Sequence, residues 1–164
     1  MERMDDLVQF LHTRLDEDEQ TARAVEDGSA PWDGQWVADG SDALRTRNGH
    51  VLAYGHRTTD GRDLPVPLRP GLVDHVARHD PARVLAEVDA KRQTVARHVP
   101  ERRRLTLVDA EGGTTSFAFY VCTACTPNRT IEHGQGIVEW PCPDARVLAL
   151  PYADHPDYRG TWRP

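Results

Sequence analysis

The three cysteines of this chain have the spacing of most of a zinc ligand set. Cys122 and Cys125 form a C-x-x-C pair, and sixteen residues separate Cys125 from Cys142. A four-cysteine ribbon of this spacing needs a cysteine at position 145, where the chain has Ala145. Two thiolates on one tight turn aim both sulfur atoms at a single metal ion. The sequence therefore predicts a zinc ion bound by Cys122, Cys125 and Cys142, with a fourth ligand of another type.

His133 is the predicted fourth ligand. It lies between the two cysteine arms, in a segment made flexible by Gly134 and Gly136, and histidine is a common zinc partner. Asp144 and His155 are the alternatives. Four protein ligands leave no position for water, so the predicted zinc is structural.

Two other interpretations of these cysteines stay open, a redox-active pair and ordinary buried thiols. A thioredoxin-like motif lies where a strand joins a helix in a βαβ unit, whereas Thr126 and Pro127 after Cys125 do not begin a helix. That context favours metal over redox chemistry.

A second set of metal-ligand types is weaker. His75 and His79 have the spacing of a zincin pair but lack the adjacent glutamate that would activate water. Asp80, directly after them, is better explained as the N-cap of the next helix, followed by Pro81 at the first helical position.

No catalytic constellation accompanies the cysteines. The chain has no G-x-S-x-G motif, no P-loop and no dinucleotide glycine fingerprint. The first hypothesis is therefore a non-enzymatic binding, adaptor or regulatory protein, acting on an unknown protein partner or by self-association. The alternative is a zinc-dependent hydrolase whose fourth metal position holds water. The third is a nucleic-acid-binding zinc ribbon that uses the basic run Arg102 to Arg104.

Composition narrows the class of protein. The 164 residues suit a single domain over residues 1–164, and a net charge of −6 makes nucleic acid an unlikely partner. No stretch approaches the apolar length of a membrane span, and the first residues lack the layout of a signal peptide. A cytoplasmic location is expected, where an odd cysteine count fits metal binding better than disulfides.

The elements that must position the cysteines predict an α+β fold. It has two or three helices packed on two antiparallel β-hairpins, with a C-terminal zinc-ribbon-like element. Apolar periodicity, turn signals and caps give the segments in chain order. They are an acidic helix over 5–27, a β-hairpin over 34–56 around Asn48-Gly49, helices over 70–99, and over 104–150 a second hairpin, the ribbon-like element and a short helix opened by Cys142-Pro143.

Three stretches carry a resemblance to a known family. They are the opening Asp5-Asp6-Leu-Val-Gln-Phe-Leu11, the segment His75-Val-Ala-Arg-His-Asp-Pro-Ala-Arg-Val-Leu-Ala-Glu-Val-Asp-Ala-Lys-Arg92, and the close from Arg146 through Leu150-Pro-Tyr-Ala-Asp-His-Pro-Asp-Tyr158 to Trp162-Arg163-Pro164. The chain resembles an uncharacterised family of small actinobacterial and actinophage proteins, a domain of unknown function. The resemblance covers most of the chain and implies no activity, substrate or catalytic residue.

Overall fold

The computed structural model describes residues 6–26, 33–40, 43–54, 70–108, 110–126 and 136–164. These residues form a mixed α+β protein with two small antiparallel sheets. The helices within them are α1 (Asp6–Arg23), α2 (Pro70–Arg78), α3 (Pro81–Arg97) and α4 (Pro143–Ala149). The strands are β1 (Trp36–Asp39), β2 (Ala43–Thr46), β3 (Val51–Tyr54), β4 (Pro100–Val108) and β5 (Thr114–Cys122). Short 3-10 turns follow at Ala24–Glu26, Leu150–Tyr152 and Gly160–Trp162. The α+β class is confirmed.

The chain divides into two compact units. Unit 1 consists of Met1–Leu15 and Ala90–Pro164, and unit 2 of Asp16–Asp89. The single domain over residues 1–164 stays a prediction.

Unit 2 contains a three-stranded sheet in the order β1-β2-β3 where the sequence predicted a two-stranded hairpin. The Asn48-Gly49 turn is where it was expected, and Gly49 has a φ of 94°, which favours glycine. The added strand is β1, whose Trp36 lies opposite Thr46. Four residues are too short for alternation to indicate a strand, and the pairing with β2 decides the matter.

The beginning of α3 is fixed by the predicted cap. One carboxylate oxygen of Asp80 accepts the backbone N–H of Arg83 at 2.8 Å, and the other accepts the backbone N–H of Trp36 at 3.2 Å. Asp80 therefore satisfies a free donor of the first helical turn and also ties β1 to α3 within unit 2.

The core of unit 1 combines both chain ends with the middle of the sequence. Its buried residues come from α1, α3, β5, α4 and the segments around α4. They are Leu7, Phe10, Leu11, Val95, Cys122, Trp140, Cys142, Ala145, Ala149 and Trp162. Two of the three cysteines are thus part of the main hydrophobic core of this unit.

The second hairpin is longer than predicted. Strand β4 begins at Pro100, four residues before the expected boundary at 104, and pairs with β5 from Pro100 opposite Cys122 to Val108 opposite Thr114. The basic run Arg102 to Arg104 lies entirely within β4 and not in a turn before the hairpin. Arginines are accommodated there because Arg102 and Arg104 alternate outward into solvent and Arg103 pairs with Glu101 at 2.7 Å.

Among the described residues, no helix has both the length and the apolar character needed to cross a bilayer.

Candidate metal centre

The β4–β5 hairpin positions the C-x-x-C pair. Cys122 is the last residue of β5, and the chain then turns tightly, with the N–H of Thr126 donating to the carbonyl of Cys122 at 3.0 Å. The N–H of Thr123 donates to the carbonyl of Val99 at 3.1 Å, which ties this turn to the residues that follow α3. The turn is therefore fixed at both ends before any metal is considered.

Cys142 returns to the same place through a short antiparallel segment. The N–H of Cys122 donates to Val138 at 3.0 Å, and the N–H of Trp140 donates to Tyr120 at 3.0 Å. Cys142 then caps α4, and its Sγ accepts the backbone N–H of Ala145 at 3.4 Å. A sulfur that accepts an N–H bond at a helix start is stabilised as a thiolate, the form that binds metal.

His98 is the fourth member of the cluster. It directly follows α3, and its Nδ1 lies 3.5 Å from the Sγ of Cys122, 3.5 Å from that of Cys125 and 3.4 Å from that of Cys142. The imidazole is 12% exposed. Cys122 and Cys142 are fully buried and Cys125 is half-buried, so the cluster lies at the edge of the unit 1 core.

The distances from the imidazole nitrogen to the three sulfur atoms fit a tetrahedral site. The four donor atoms all lie within 4.8 Å of one another. For Zn–N of about 2.05 Å and Zn–S of about 2.3 Å, a tetrahedron places each nitrogen about 3.6 Å from each sulfur and the sulfurs about 3.8 Å apart. The three observed N···S distances match that value. Within the described ranges, this is the one group of three or more potential ligands.

Asp144 and His155, the alternative fourth ligands, lie in different parts of unit 1. Asp144 lies beside the cluster, with Oδ2 3.8 Å from Cys125 Sγ and 3.9 Å from His98 Nδ1, and its side chain is 65% exposed. His155 is elsewhere in unit 1, where it contacts Arg14 and lies against Phe10 with ring centroids 5.9 Å apart. His133 lies outside the described residues, and its role stays a prediction.

His75 and His79, the weaker pair of candidate ligands, form no such group with the other residues that the structure describes. The rings of His75 and His79 have centroids 4.3 Å apart and are tilted by 36° to each other, and Nδ1 of His79 lies 2.8 Å from the carbonyl oxygen of His75. That contact occupies one ring nitrogen of His79 with the helix backbone.

Crowding of the thiols changes their acidity. Burial, followed by hydrogen bonds from the neighbouring cysteines and by their charge, raises the pKa of Cys125 from 9.0 to about 12. Burial is also the main cause of the raised pKa of Cys142, opposed by the N–H of Ala145. All three cysteines are free thiols without a disulfide. A cation would reverse this preference, because it stabilises the thiolate form directly.

Sequence reasoning missed His98, although a signal was present. The turn at 109–113 predicts that Val108 pairs with Thr114, and extending this antiparallel register toward the strand ends brings Pro100 opposite Cys122. His98 precedes Pro100 by two residues and so had to lie near the first cysteine. Because the hairpin was predicted to begin at residue 104, the pairing of Pro100 with Cys122 was not considered.

The fold and the site together define an α+β protein with a Cys₃His cluster able to hold a metal ion. The chain belongs to a family described as "Family of unknown function (DUF6221)", whose model matches residues 4–164. No curated protein and no solved structure matches the chain.

Proposed function

We propose that this protein binds one structural zinc ion through Cys122, Cys125, Cys142 and His98, and that it acts as a non-enzymatic binding, adaptor or regulatory protein. The zinc would pin a ribbon-like element, formed by the end of the β4–β5 hairpin and the start of α4, to the end of α3. In this proposal His98 takes the place that the sequence analysis gave to His133.

One observation carries the proposal. A single imidazole nitrogen lies 3.4 to 3.5 Å from three sulfur atoms that come from two distant parts of the chain. A histidine nitrogen can share one hydrogen bond with one thiol, so equal distances to three of them fit a common central cation better than a set of hydrogen bonds. Three sulfur donors favour zinc over harder cations such as magnesium or calcium.

The ligand count supports a structural role. Cys₃His sites are filled by the protein and leave no position for a water nucleophile. Burial of Cys122 and Cys142 in the core of unit 1 means that a bound ion would stabilise packing as well as the turn.

The hydrolase hypothesis depends on Asp144. Its carboxylate is close enough to take part in the site, and a vacant metal position beside it would resemble a metal-bound water with a general base. It ranks second because His98 supplies a fourth donor and leaves that position filled.

A binding role is supported by the exposed half of the β4–β5 hairpin. Phe117 is 51% exposed and Val108 is 69% exposed. Because a two-stranded ribbon needs further packing to be stable in water, these exposed apolar side chains favour contact with a partner. Molar mass measured by light scattering separates the two partner classes: a dimer supports self-association, and a monomer leaves another protein as the partner.

A cytoplasmic location completes the proposal, since zinc thiolates persist in a reducing compartment. Nucleic acid is not proposed as a partner, because Arg103 is paired with Glu101 and the net charge is −6.

Metal content and ligand substitution test the proposal together. Protein purified under reducing conditions should contain one zinc per chain, and Co²⁺ in its place should give the intense visible bands of tetrahedral thiolate coordination. The variant His98→Asn should lose the metal or give a different Co²⁺ spectrum. The variants His133→Asn and His79→Asn are matched controls that should keep both. Loss of metal in His133→Asn with retention in His98→Asn would restore the original assignment and overturn ours.

A further inference from the structure

A second site in unit 1 lies away from the cysteine cluster, in a cleft between α1 and the last nine residues of the chain. Its volume is about 450 Å³, which is within the range of about 300 to 1,000 Å³ typical of small-molecule sites. Phe10 and Arg14 line it from α1, and Tyr158, Arg159 and Trp162 line it from the C-terminal segment.

Part of this cleft is an aromatic surface. The rings of Phe10 and Trp162 have centroids 5.0 Å apart at 47°, and Tyr158 meets Trp162 edge-on at 5.8 Å. Packing among these rings and the unit 1 core holds them in place. Phe10 and Trp162 are only 7% and 3% exposed and form the floor of the cleft, whereas the half-buried ring of Tyr158 is the one that a flat ligand ring can meet.

Two guanidinium groups flank the aromatic surface. The Cζ of Arg14 lies 5.5 Å from the centroid of Phe10, and that of Arg159 lies 5.3 Å from the centroid of Trp162. Arg14 is only 7% exposed, so its charge acts in a medium of reduced dielectric constant. Each guanidinium carries five N–H donors, enough to keep its contacts within the chain and still donate to a ligand.

The carboxylates of the cleft are already engaged or turned outward. Asp6 pairs with Arg159 at 2.6 Å. Asp157 is 76% exposed and faces the Nδ1 of His155 at 3.8 Å. The deepest charge in the cleft is therefore the positive charge of Arg14.

Tyr158 supplies the observation that points to a ligand. Its hydroxyl oxygen is buried and has no hydrogen-bond partner within the structure described. Buried hydroxyl groups are nearly always paired, and an unpaired one is costly to keep. A bound molecule that accepts or donates one hydrogen bond at this point would remove that cost.

We propose that this cleft binds a small molecule that has a planar ring and an anionic group, either a carboxylate or a phosphate. The ring packs against Tyr158 and the guanidinium of Arg159 that lies over Trp162. The anionic group accepts hydrogen bonds from Arg14, and a small shift of the Tyr158 ring brings its hydroxyl into a hydrogen bond with the ligand. This inference is independent of the zinc proposal, and its test uses the protein as purified with its metal content unchanged.

Three probes distinguish the features of the ligand. Phenyl phosphate and benzoate are titrated into ¹⁵N-labelled protein, with benzyl alcohol as the uncharged control. Both anions should shift the indole N–H signal of Trp162 and backbone signals of the cleft, with saturation in the millimolar range or below. The tighter of the two identifies the anionic group. Equal binding of benzyl alcohol, or no saturable shift with either anion, would overturn the proposal.

Two variants test the residues. The substitution Arg14→Gln should weaken the binding of the tighter anion about tenfold or more, because it removes charge-assisted hydrogen bonds. Replacing Tyr158→Phe should weaken it about threefold or more. The same change should leave Tm unchanged or higher, because it removes an unpaired buried hydroxyl. Should Arg14→Gln fail to fold, Tyr158→Phe alone decides. The exposed Arg102→Gln is the control and should bind like the parent, and unchanged affinity in Tyr158→Phe would refute the assigned contact.

Discussion

The Nδ1 atom of His98 lies 3.4 Å from the Sγ of Cys142, although the two residues are 44 positions apart in the chain. His98 follows a helix, whereas Cys142 precedes one, and the β4–β5 hairpin between them brings the two helix ends together within unit 1. A tetrahedral ion at this point would link α3, β5 and α4, so its removal should affect the whole unit and not only the turn.

Substitution of a single ligand tests this link. The variant Cys125→Ser should lower Tm sharply in zinc, because structural zinc contributes on the order of 10 kcal/mol in small zinc peptides. Even a third of that corresponds to a fall in Tm of roughly 10 °C for a chain of this size, where 1 kcal/mol shifts Tm by about 2–4 °C. Calorimetry with and without a chelator measures the effect.

The chelator also supplies the control. Without metal, the parent and Cys125→Ser should melt within a few degrees of each other, since the exchange of sulfur for oxygen at a half-buried position is small by itself. An equal difference between them in zinc and in chelator would show that the loss comes from packing and not from metal.

Zinc binding should release protons. The raised pKa of Cys125, about 12, and that of Cys142 keep both thiols protonated near pH 7.5, and both must become thiolates when zinc binds. Titration calorimetry in buffers of different ionisation enthalpy should therefore give at least two protons per zinc, and the affinity should fall as the pH is lowered.

The metal-free chain should show the opposite dependence. A thiol whose folded pKa lies above its unfolded value of 9.0 contributes stability that is present below that pH and is lost as the pH rises toward 12. Urea unfolding of chelated protein should therefore give a lower free energy of unfolding at pH 10 than at pH 8. In the zinc titration, release of fewer than two protons per zinc would contradict the assignment of Cys125 and Cys142 as protonated thiols in the metal-free protein.

Asp144 distinguishes the closed site from an open one. The isosteric change Asp144→Asn should keep one zinc per chain and the tetrahedral Co²⁺ spectrum, because His98 and not Asp144 completes the set. The free energy of unfolding should fall by about 0.3–1 kcal/mol, since an acidic residue in the first turn of α4 interacts favourably with the helix dipole. Loss of zinc in this variant would instead make Asp144 a ligand and favour the hydrolase.

Asp80 tests the fold outside the metal centre. The variant Asp80→Ala should reduce the free energy of unfolding by about 1–2 kcal/mol, because the carboxylate accepts the N–H groups of both Arg83 and Trp36. The exposed Asp74→Ala in α2 is the matched control and should change it by less than about 0.5 kcal/mol. Similar effects of the two changes in chemical denaturation would show that the cap does not stabilise α3.

The sequence alone determined the local features of this protein. The α+β class, the cap at Asp80, the turn at Asn48-Gly49 and the start of the last helix at Cys142-Pro143 all depend on interactions within a few residues, which a chain expresses directly in its order of residue types. The proximity of Cys122 and Cys125 is of the same kind, because one tight turn joins them.

Tertiary structure decided the rest. Strand β1 is too short to be recognised by alternation and exists through its pairing with β2. The place of Arg102 to Arg104 within a strand likewise follows from their pairing with β5. The place of His98 beside three sulfur atoms follows from the full register of β4 and β5 and from the return of the chain at Val138 to Trp140. Spacing along the chain could rank candidate histidines only by their distance in sequence from the cysteines, whereas a metal site selects ligands by their distance in space.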